Sequence, residues 1–219
     1  MASRGESVSG VSAPGGAVRS TPLRIDVAFD VGGAGGRNDD RANAIAIQHD
    51  GTIVLAGYAD VSGTSAINHD FAIARLLPNG APDDSFGSAG RALAGFDRIP
   101  AGLDVARAVV QQDNGNLLVA GYAQTMADGT GIDVAMLRLR ADGSRDPGFG
   151  NLGRLTIDFG QSNPDLQFAT GAALSGGYIL LSAAASRLPR RTPTCSWLHC
   201  RTTRCSQTDS SDAYRSAEY

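Results

Sequence analysis

The sequence predicts an all-β fold assembled from copies of one four-stranded antiparallel unit, and three observations predict it. The first is a repeat. Gly57-Tyr58 recurs 64 residues on as Gly121-Tyr122. Asp70, Arg75, Gly80, Phe86, Gly87, Gly90, Arg91 and Phe96 recur 63 residues on as Asp133, Arg138, Gly143, Phe149, Gly150, Gly153, Arg154 and Phe159. A fixed period states that one supersecondary unit is stacked on copies of itself. The second is a series of short, β-prone apolar runs bounded by turn residues. The third is the placing of glycine. All 28 lie within residues 1–177, mostly where a turn must reach positive φ.

The elements follow in order. Ala44, Ile45 and Ile47 form a run closed by Asp50-Gly51, and Ile53, Val54 and Leu55 follow at once. Two β-rich runs separated by His-Asp-Gly predict a hairpin. The second copy repeats it with Val109 and Val110, Asn114-Gly115, then Leu117, Leu118 and Val119. A third strand holds Phe71, Ile73 and Leu76, matched by Val134, Met136, Leu137 and Leu139. It ends at Pro78-Asn79-Gly80 or Ala141-Asp142-Gly143. The recurrent Gly87-x-x-Gly90 is a turn into a fourth strand, from Arg91 to Phe96 and from Arg154 to Phe159. Gly57 inside a strand predicts a close backbone approach or a bulge. Four short strands per copy match a propeller blade. A parallel β-helix, which has a shorter period, ranks second. No helix is needed.

Two full copies occupy about 42–97 and 106–160, with a partial copy at each end. Residues 25–29 are the closing strand of a preceding copy, with Phe29 in the place of Phe96. A third copy begins near Asp165. There Ala169 to Leu174, Ser175-Gly176-Gly177 and Tyr178 to Leu181 match the first hairpin, and the pattern stops after Ala185. The expected organisation is a flexible leader over 1–24, repeats over 25–185 and a disordered tail over 186–219.

The motif series AGY, D-[FV]-A-x-x-R, DG or NG, then FG-x-x-GR and a strand ending in Phe resembles the delta-60 repeat family. The resemblance covers residues 25–183. It implies a bacterial, β-propeller-like array on a surface-exposed or secreted protein, with no established catalytic residues to carry over. This chain departs from the family in its few copies and in the break of its last one.

Composition narrows the function. Residues 1–185 carry 19 acids and 13 arginines, whereas 186–219 carry 3 acids and 6 arginines. An acidic body without a basic stripe argues against a nucleic-acid partner. No apolar run has membrane-spanning length. The leader shows no apolar core of a signal peptide, so the extracellular or cell-envelope location rests on the resemblance alone. The tail holds no Gly, all three Cys and the only Trp, and every basic residue of the chain is Arg. Lysine codons are AT-rich, so a chain without Lys points to GC-rich DNA. Text rich in Arg, Ser, Thr, Pro and Cys is what such DNA gives out of frame. We therefore read 186–219 as a frameshifted tail, with a genuine disordered tail as the alternative.

Each candidate site has a plainer reading. Cys195, His199, Cys200 and Cys205 lack the paired CxxC knuckles of structural zinc sites. Calcium takes about 6–8 oxygens converging on one point. Asp39-Asp40, Asp83-Asp84, Asp113 and Asp142 could supply them only without a D-x-D-x-D-G run, and Asp or Asn before Gly is turn chemistry. Asp70 and Asp133, with Arg75 and Arg138, are expected to form blade-to-blade ion pairs. Arg91 and Arg154 follow the same logic. His49 and His69 have no counterparts and read as solvated. Gly32 to Gly36 lacks the Gly-Lys-Ser/Thr ending of a P-loop. No G-x-S-x-G elbow is present. The expectation is no catalytic residues, no cofactor and no metal.

The function expected is a non-catalytic structural or interaction module that binds a protein or glycan ligand. Its contacts would come from the loops that vary between copies, residues 61–69 and 124–132. A calcium-dependent adhesion module and a fragment of a propeller-scaffold hydrolase are the alternatives. Open sheet edges are expected to drive self-association.

Overall fold

The computed structural model describes residues 8–9, 24–31, 39–63, 66–127, 131–158, 165–187 and 194–201. The strands are β1 (Val8–Ser9), β2 (Arg24–Ile25), β3 (Arg41–Ile47), β4 (Ile53–Asp60), β5 (His69–Leu76), β6 (Arg91–Ala94), β7 (Asp104–Gln111), β8 (Leu117–Gln124), β9 (Ile132–Leu139), β10 (Arg154–Ile157), β11 (Asp165–Ser175), β12 (Tyr178–Arg187) and β13 (Thr194–Arg201). Among the described residues there is no helix.

Blade 1 is the antiparallel sheet β3-β4-β5-β6, and blade 2 repeats it as β7-β8-β9-β10. Strands β11-β12-β13 continue the sheet of blade 2 through one parallel bridge from β9 to β11 and form blade 3, with no fourth strand among the described residues. Single parallel bridges tie each blade to the next, His69 to Leu103 and Ile132 to Leu166. The blades do not close into a ring.

Every first hairpin carries the same bulge. The register slips between Ala42 and Ala44, between Ala106 and Ala108, and between Ala169 and Gly171. The bulge explains the recurrent glycine of AGY. A Cβ on Gly57 would overlap the Arg41 carbonyl, and one on Gly121 would overlap that of Val105. The sequence expectation of both a close approach and a bulge is met at one place.

Alternation along the strands sorts side chains onto two blade faces. Val54, Ala56, Phe71 and Ile73 point away from blade 1 and meet Leu117, Val119, Ala135 and Leu137 of blade 2 in one core. Leu118, Ala120, Val134 and Met136 repeat this against Ile179, Leu181 and Ala183 of blade 3. Ile53, Leu55, Ala74 and Leu76 lie on the near face of blade 1, where, among the described residues, Ile25, Val27 and Phe29 pack on them. Phe86 and Phe149 are fully buried.

The FG-x-x-GR segment is a tight hairpin turn. Ser88 and Arg91 exchange backbone hydrogen bonds of 2.8 and 3.1 Å, as do Asn151 and Arg154 at 2.7 and 3.1 Å. Ala89 and Gly90 both have positive φ, as do Leu152 and Gly153, which is what a type I′ turn requires.

One expectation needs correction. The fourth strands end at Ala94 and Ile157, and in blade 1 the Phe96 N–H leaves the sheet to donate to Asp104 Oδ2 at 2.6 Å. Within the leader, Val8–Ser9 pairs with Arg24–Ile25. Within the tail, Thr194–Arg201 is a strand. It pairs antiparallel with β12 over eight positions, where the edge of β12 offers a row of backbone partners. The loop at 32–36, Phe159 and residues 202–219, with Cys205, lie outside the described residues.

Candidate functional site

In blades 1 and 2 the ends of strands two and four and the starts of strands one and three share one rim. That rim, the loop rim, carries the connections that differ between copies, residues 61–68 and 125–131, together with 95–103, while the opposite rim carries the recurrent Gly turns and the FG-x-x-GR segments. The loop rim is therefore where varied chemistry can be displayed.

The recurrent arginines are structural. Arg75 Nε donates to Asp83 Oδ2 at 2.7 Å and Arg138 Nε to Asp146 Oδ2 at 2.8 Å. Each guanidinium also lies over the following Phe ring, Arg75 on Phe86 at 4.6 Å and Arg138 on Phe149 at 4.7 Å. The expected blade-to-blade ion pairs of these arginines are thus pairs within a blade. A β-hairpin turn brings Asp83 back beside Arg75, closer than any acid of the next blade. Arg75 does cross the junction, through Nη1 to the Ala141 carbonyl at 2.6 Å. The ion pair that spans blades is made by Arg154 instead, with Asp97 at 3.5 Å, and the same Nη1 donates to the Gly95 carbonyl.

Asp70, Asp97 and Asp104 converge at that junction. A Cβ on Gly95 would touch Asp70 and Asp97 carboxylate oxygens. Burial pushes the Asp70 carboxyl up to about 6, with Asp97 adding to the rise and Arg154 opposing it. Burial likewise raises Asp104 to about 6, against the hydrogen bond from the Phe96 N–H, with the Asp70 charge adding to the rise. Two carboxyls that change charge near pH 6 have the proton affinity of an acid–base pair. Their construction argues for structure. Asp104 is tied to backbone N–H groups, and both sit at repeat positions, Asp40 matching Asp104 and Asp133 matching Asp70.

The calcium candidates are dispersed. Asp40 Oδ2 accepts from the Phe29 N–H at 2.7 Å. Asp83 is held below the usual carboxylate range chiefly by the Ser85 hydroxyl, with Arg75 contributing. Asp142 is lowered by the Ser144 hydroxyl and N–H in an exposed turn. Asp39, Asp84 and Asp113 are exposed. Among the described residues no three His, Cys, Asp or Glu side chains form a metal-binding group. Cys195, His199 and Cys200 stand on β13 opposite Ala184, Leu180 and Ile179.

His49 is exposed, as expected. His69 is not simply solvated: its ring stacks on Tyr58 at 4.2 Å between centroids. Tyr58 also has Arg41 over its face at 6.0 Å and Asp39 within 3.4 Å of its hydroxyl. Burial and then the Asp39 charge raise its phenol. Next to this stack, the 61–68 loop is braced by Asp60, whose Oδ1 accepts from the Ser62 hydroxyl at 2.6 Å and N–H at 2.9 Å. The fully buried Asp60 Oδ2 has no partner. In the second copy Gln124 takes this place, accepting from Leu103 N–H at 3.1 Å and donating to the Met126 carbonyl at 2.7 Å.

Sequence reasoning missed two recurrences that were available to it. Asp83 repeats as Asp146 at 63 residues, and Asp40 as Asp104 at 64. Both pairs hold the repeat together.

Two segments, residues 48–86 and 112–149, match the family described as a β-propeller domain of unknown function, DUF5122. The match starts at the first hairpin's turn and ends at Phe86 or Phe149, so it falls on the same place in both copies. It supports a β-propeller-like repeat family. No curated protein and no solved structure matches the chain. No helix among the described residues is long and apolar enough to cross a membrane.

Proposed function

We propose that the chain is a non-catalytic interaction module of the delta-60 kind, from a bacterial surface or secreted protein. One observation carries the reading: the charges that recur hold the blades together, and the chemistry that differs between copies gathers on the loop rim. Arg75, Arg138, Asp83 and Asp146 are consumed in buried pairs. Both rims present the recurrent tyrosine under an arginine, Tyr58 with Arg41 and Tyr122 with Arg107; blade 1 adds His69 and a half-exposed Ile67, whereas blade 2 adds a loop built on Gln124. An aromatic face flanked by a cation and a carboxylate suits a protein or glycan epitope, which needs apolar stacking together with hydrogen bonds.

The test is binding to arrayed glycans and peptides, with the wild type set against a variant whose 61–68 and 125–131 loops are replaced by Gly-Ser linkers of equal length. Binding that disappears in the variant at unchanged melting temperature is the expected result. Turnover of chromogenic ester, phosphate or glycoside substrates that Asp104→Asn abolishes would make the junction an active site and refute the proposal. Calcium is expected to leave both binding and melting unchanged.

A further inference from the structure

Each first hairpin sets one residue aside. Where the register slips, Asn43 in β3, Arg107 in β7 and Thr170 in β11 have no opposite number on the neighbouring strand of the hairpin. In blades 1 and 2 the glycine of the facing strand makes room for the bulged backbone. A bulge re-aims a side chain that the pleat would otherwise commit to one face. All three bulged residues are exposed, and in β7 the residues on either side, Ala106 and Ala108, are buried. The position is fixed by the repeat, but its chemistry is not: it holds an amide, a guanidinium and a hydroxyl.

The three bulges are linked in space. Asn43 Nδ2 donates to the carbonyl of Ala106, the residue before Arg107, at 2.9 Å. The Arg107 guanidinium lies over the Tyr122 ring at 5.7 Å, and that ring meets Phe168, two residues before Thr170, edge to face at 6.4 Å. Thr170 Oγ1 lies 3.0 Å from the Ser182 hydroxyl and 3.2 Å from its carbonyl. Arg107 differs from the arginines that hold the blades together. Its guanidinium makes no hydrogen bond or ion pair to a described residue. Nor is its stack on tyrosine a copy of the one in blade 1. There the cation is Arg41, which stands opposite Tyr58 in register, whereas Arg107 is the bulged residue.

We infer that the bulge row of Asn43, Arg107 and Thr170 is a binding subsite for a uronic-acid glycan, with a sugar carboxylate seated on Arg107. A guanidinium is a planar fork that matches a carboxylate through two parallel hydrogen bonds. The Asn43 amide and the Thr170 and Ser182 hydroxyls both donate and accept, which is what sugar hydroxyls require of their partners. Half-buried Tyr122 and Phe168 supply apolar ring surface between them. One cation among neutral groups, on a body with more acids than arginines, suits one carboxylate per sugar and repels a dense polyanion. The inference rests on the reading of the chain as an interaction module, and it adds strand residues to the loops as a source of contacts.

The experiment is calorimetric titration of the full chain with tetragalacturonate, its methyl ester and tetraglutamate. The ester keeps the hydroxyls and loses the charge, and the peptide keeps the charge and loses the hydroxyls. Each is expected to bind about tenfold more weakly than tetragalacturonate, or worse. Arg107→Gln is expected to weaken tetragalacturonate by about tenfold or more at unchanged melting temperature, the scale of a truncated interface arginine. Arg107→Lys, which keeps the charge without the fork, should recover only part of the loss. The ester and peptide comparisons need no variant, so they decide the matter even if a substitution disturbs folding. Equal affinity for the ester or the peptide, or indifference to Arg107→Gln, would overturn the inference. Arrayed ligands that bind through the 61–68 and 125–131 loops while tetragalacturonate does not bind would overturn the subsite alone. Silence of every arrayed glycan and peptide, tetragalacturonate included, would overturn the interaction-module reading with it.

Discussion

The two faces of blade 1 are built from alternate residues of the same strands, and they differ in completeness. On the far face, burial, hydrogen bonding and charge agree. Phe71 and Phe96 meet edge to face at 5.0 Å, Arg75 reaches across to blade 2, and Gly87 N–H donates to the Asp142 carbonyl at 2.8 Å. On the near face a shallow groove lined by Ile25, Val27, Phe29, Leu55, Gly57 and Tyr58 stands in place of a blade. The difference teaches that a repeat's residues do not by themselves define its stability. The same side chain is a core residue or a surface residue according to whether the next copy is present.

The largest effect should come from the plug of the complete face. Phe86 is fully buried, and its ring abuts Gly143, where an added Cβ would come within 3.0 Å. Phe86→Ala removes a whole buried ring and is expected to cost about 3–5 kcal/mol, read from urea unfolding. A loss below about 1 kcal/mol would show that the junction collapses around the gap and that the far face is not the stabilising one.

Next in size is a direct contrast between the faces. Arg154 and Arg91 occupy one repeat position. Arg154→Met removes a partly buried ion pair and a carbonyl contact, and should cost about 1–2 kcal/mol. Arg91→Met should change stability by less than about 0.5 kcal/mol, because it removes only a long, exposed hydrogen bond to the Ala89 carbonyl at 3.4 Å. Equal losses would erase the distinction drawn between the faces.

Much of this was legible in the sequence, and for a definable reason. Strand and turn positions follow local chemistry, so the hairpins around Gly51, Gly115 and Gly176 could be placed from residue type alone. Gly57 could be tied to a bulge because only a missing Cβ explains glycine in a strand. What failed was pairing. Arg75 was matched with acids in its own strand register because spacing along the chain suggested it, whereas a turn returns Asp83 to its side. The Asp70, Asp97 and Asp104 group was invisible, since it joins two copies through their packing and carries no motif of its own. The Tyr58–His69 stack escaped notice because it is a diagonal contact across the β4–β5 pair, in which Tyr58 stands opposite Phe71 and His69 opposite Asp60. The strand at Thr194–Arg201 escaped because composition speaks to burial, not to the backbone edge that β12 presents.

The acid group of the complete face supplies the third comparison. Asp70 and Asp104 bind protons more tightly folded than unfolded, with values near 6 against 3.8. Folding therefore takes up protons between those limits, so their contribution is full below about pH 4 and is lost as pH rises through 6. Asp70→Asn should flatten that part of the profile. It should add about 1 kcal/mol at pH 8, after allowance for solvent screening at a half-buried group, and nothing at pH 4. Thermal melts across pH 4–8 decide it. A variant that destabilises at pH 8 would mean that Asp70 is held charged by Arg154, and that the junction is an ion-pair network and not a protonated one.

The smallest expected effect asks whether the two blades share costs as well as contacts. Leu152 and Ala89 hold positive φ at the first central position of equivalent turns, +51° and +50°. A non-glycine side chain there opposes the carbonyl that follows, at roughly 1 kcal/mol for a residue without a local hydrogen-bonding side chain. Asparagine tolerates the conformation better. Leu152 is 61% exposed, so Leu152→Asn sacrifices little packing and should raise stability by up to about 1 kcal/mol. Ala89→Asn should give a similar gain although blade 1 has a different neighbour. Matching gains would assign the strain to the repeat itself, leaving the junctions as the place where the blades differ. A gain in one blade alone would show that the neighbouring copy reaches into the turn and sets its energy.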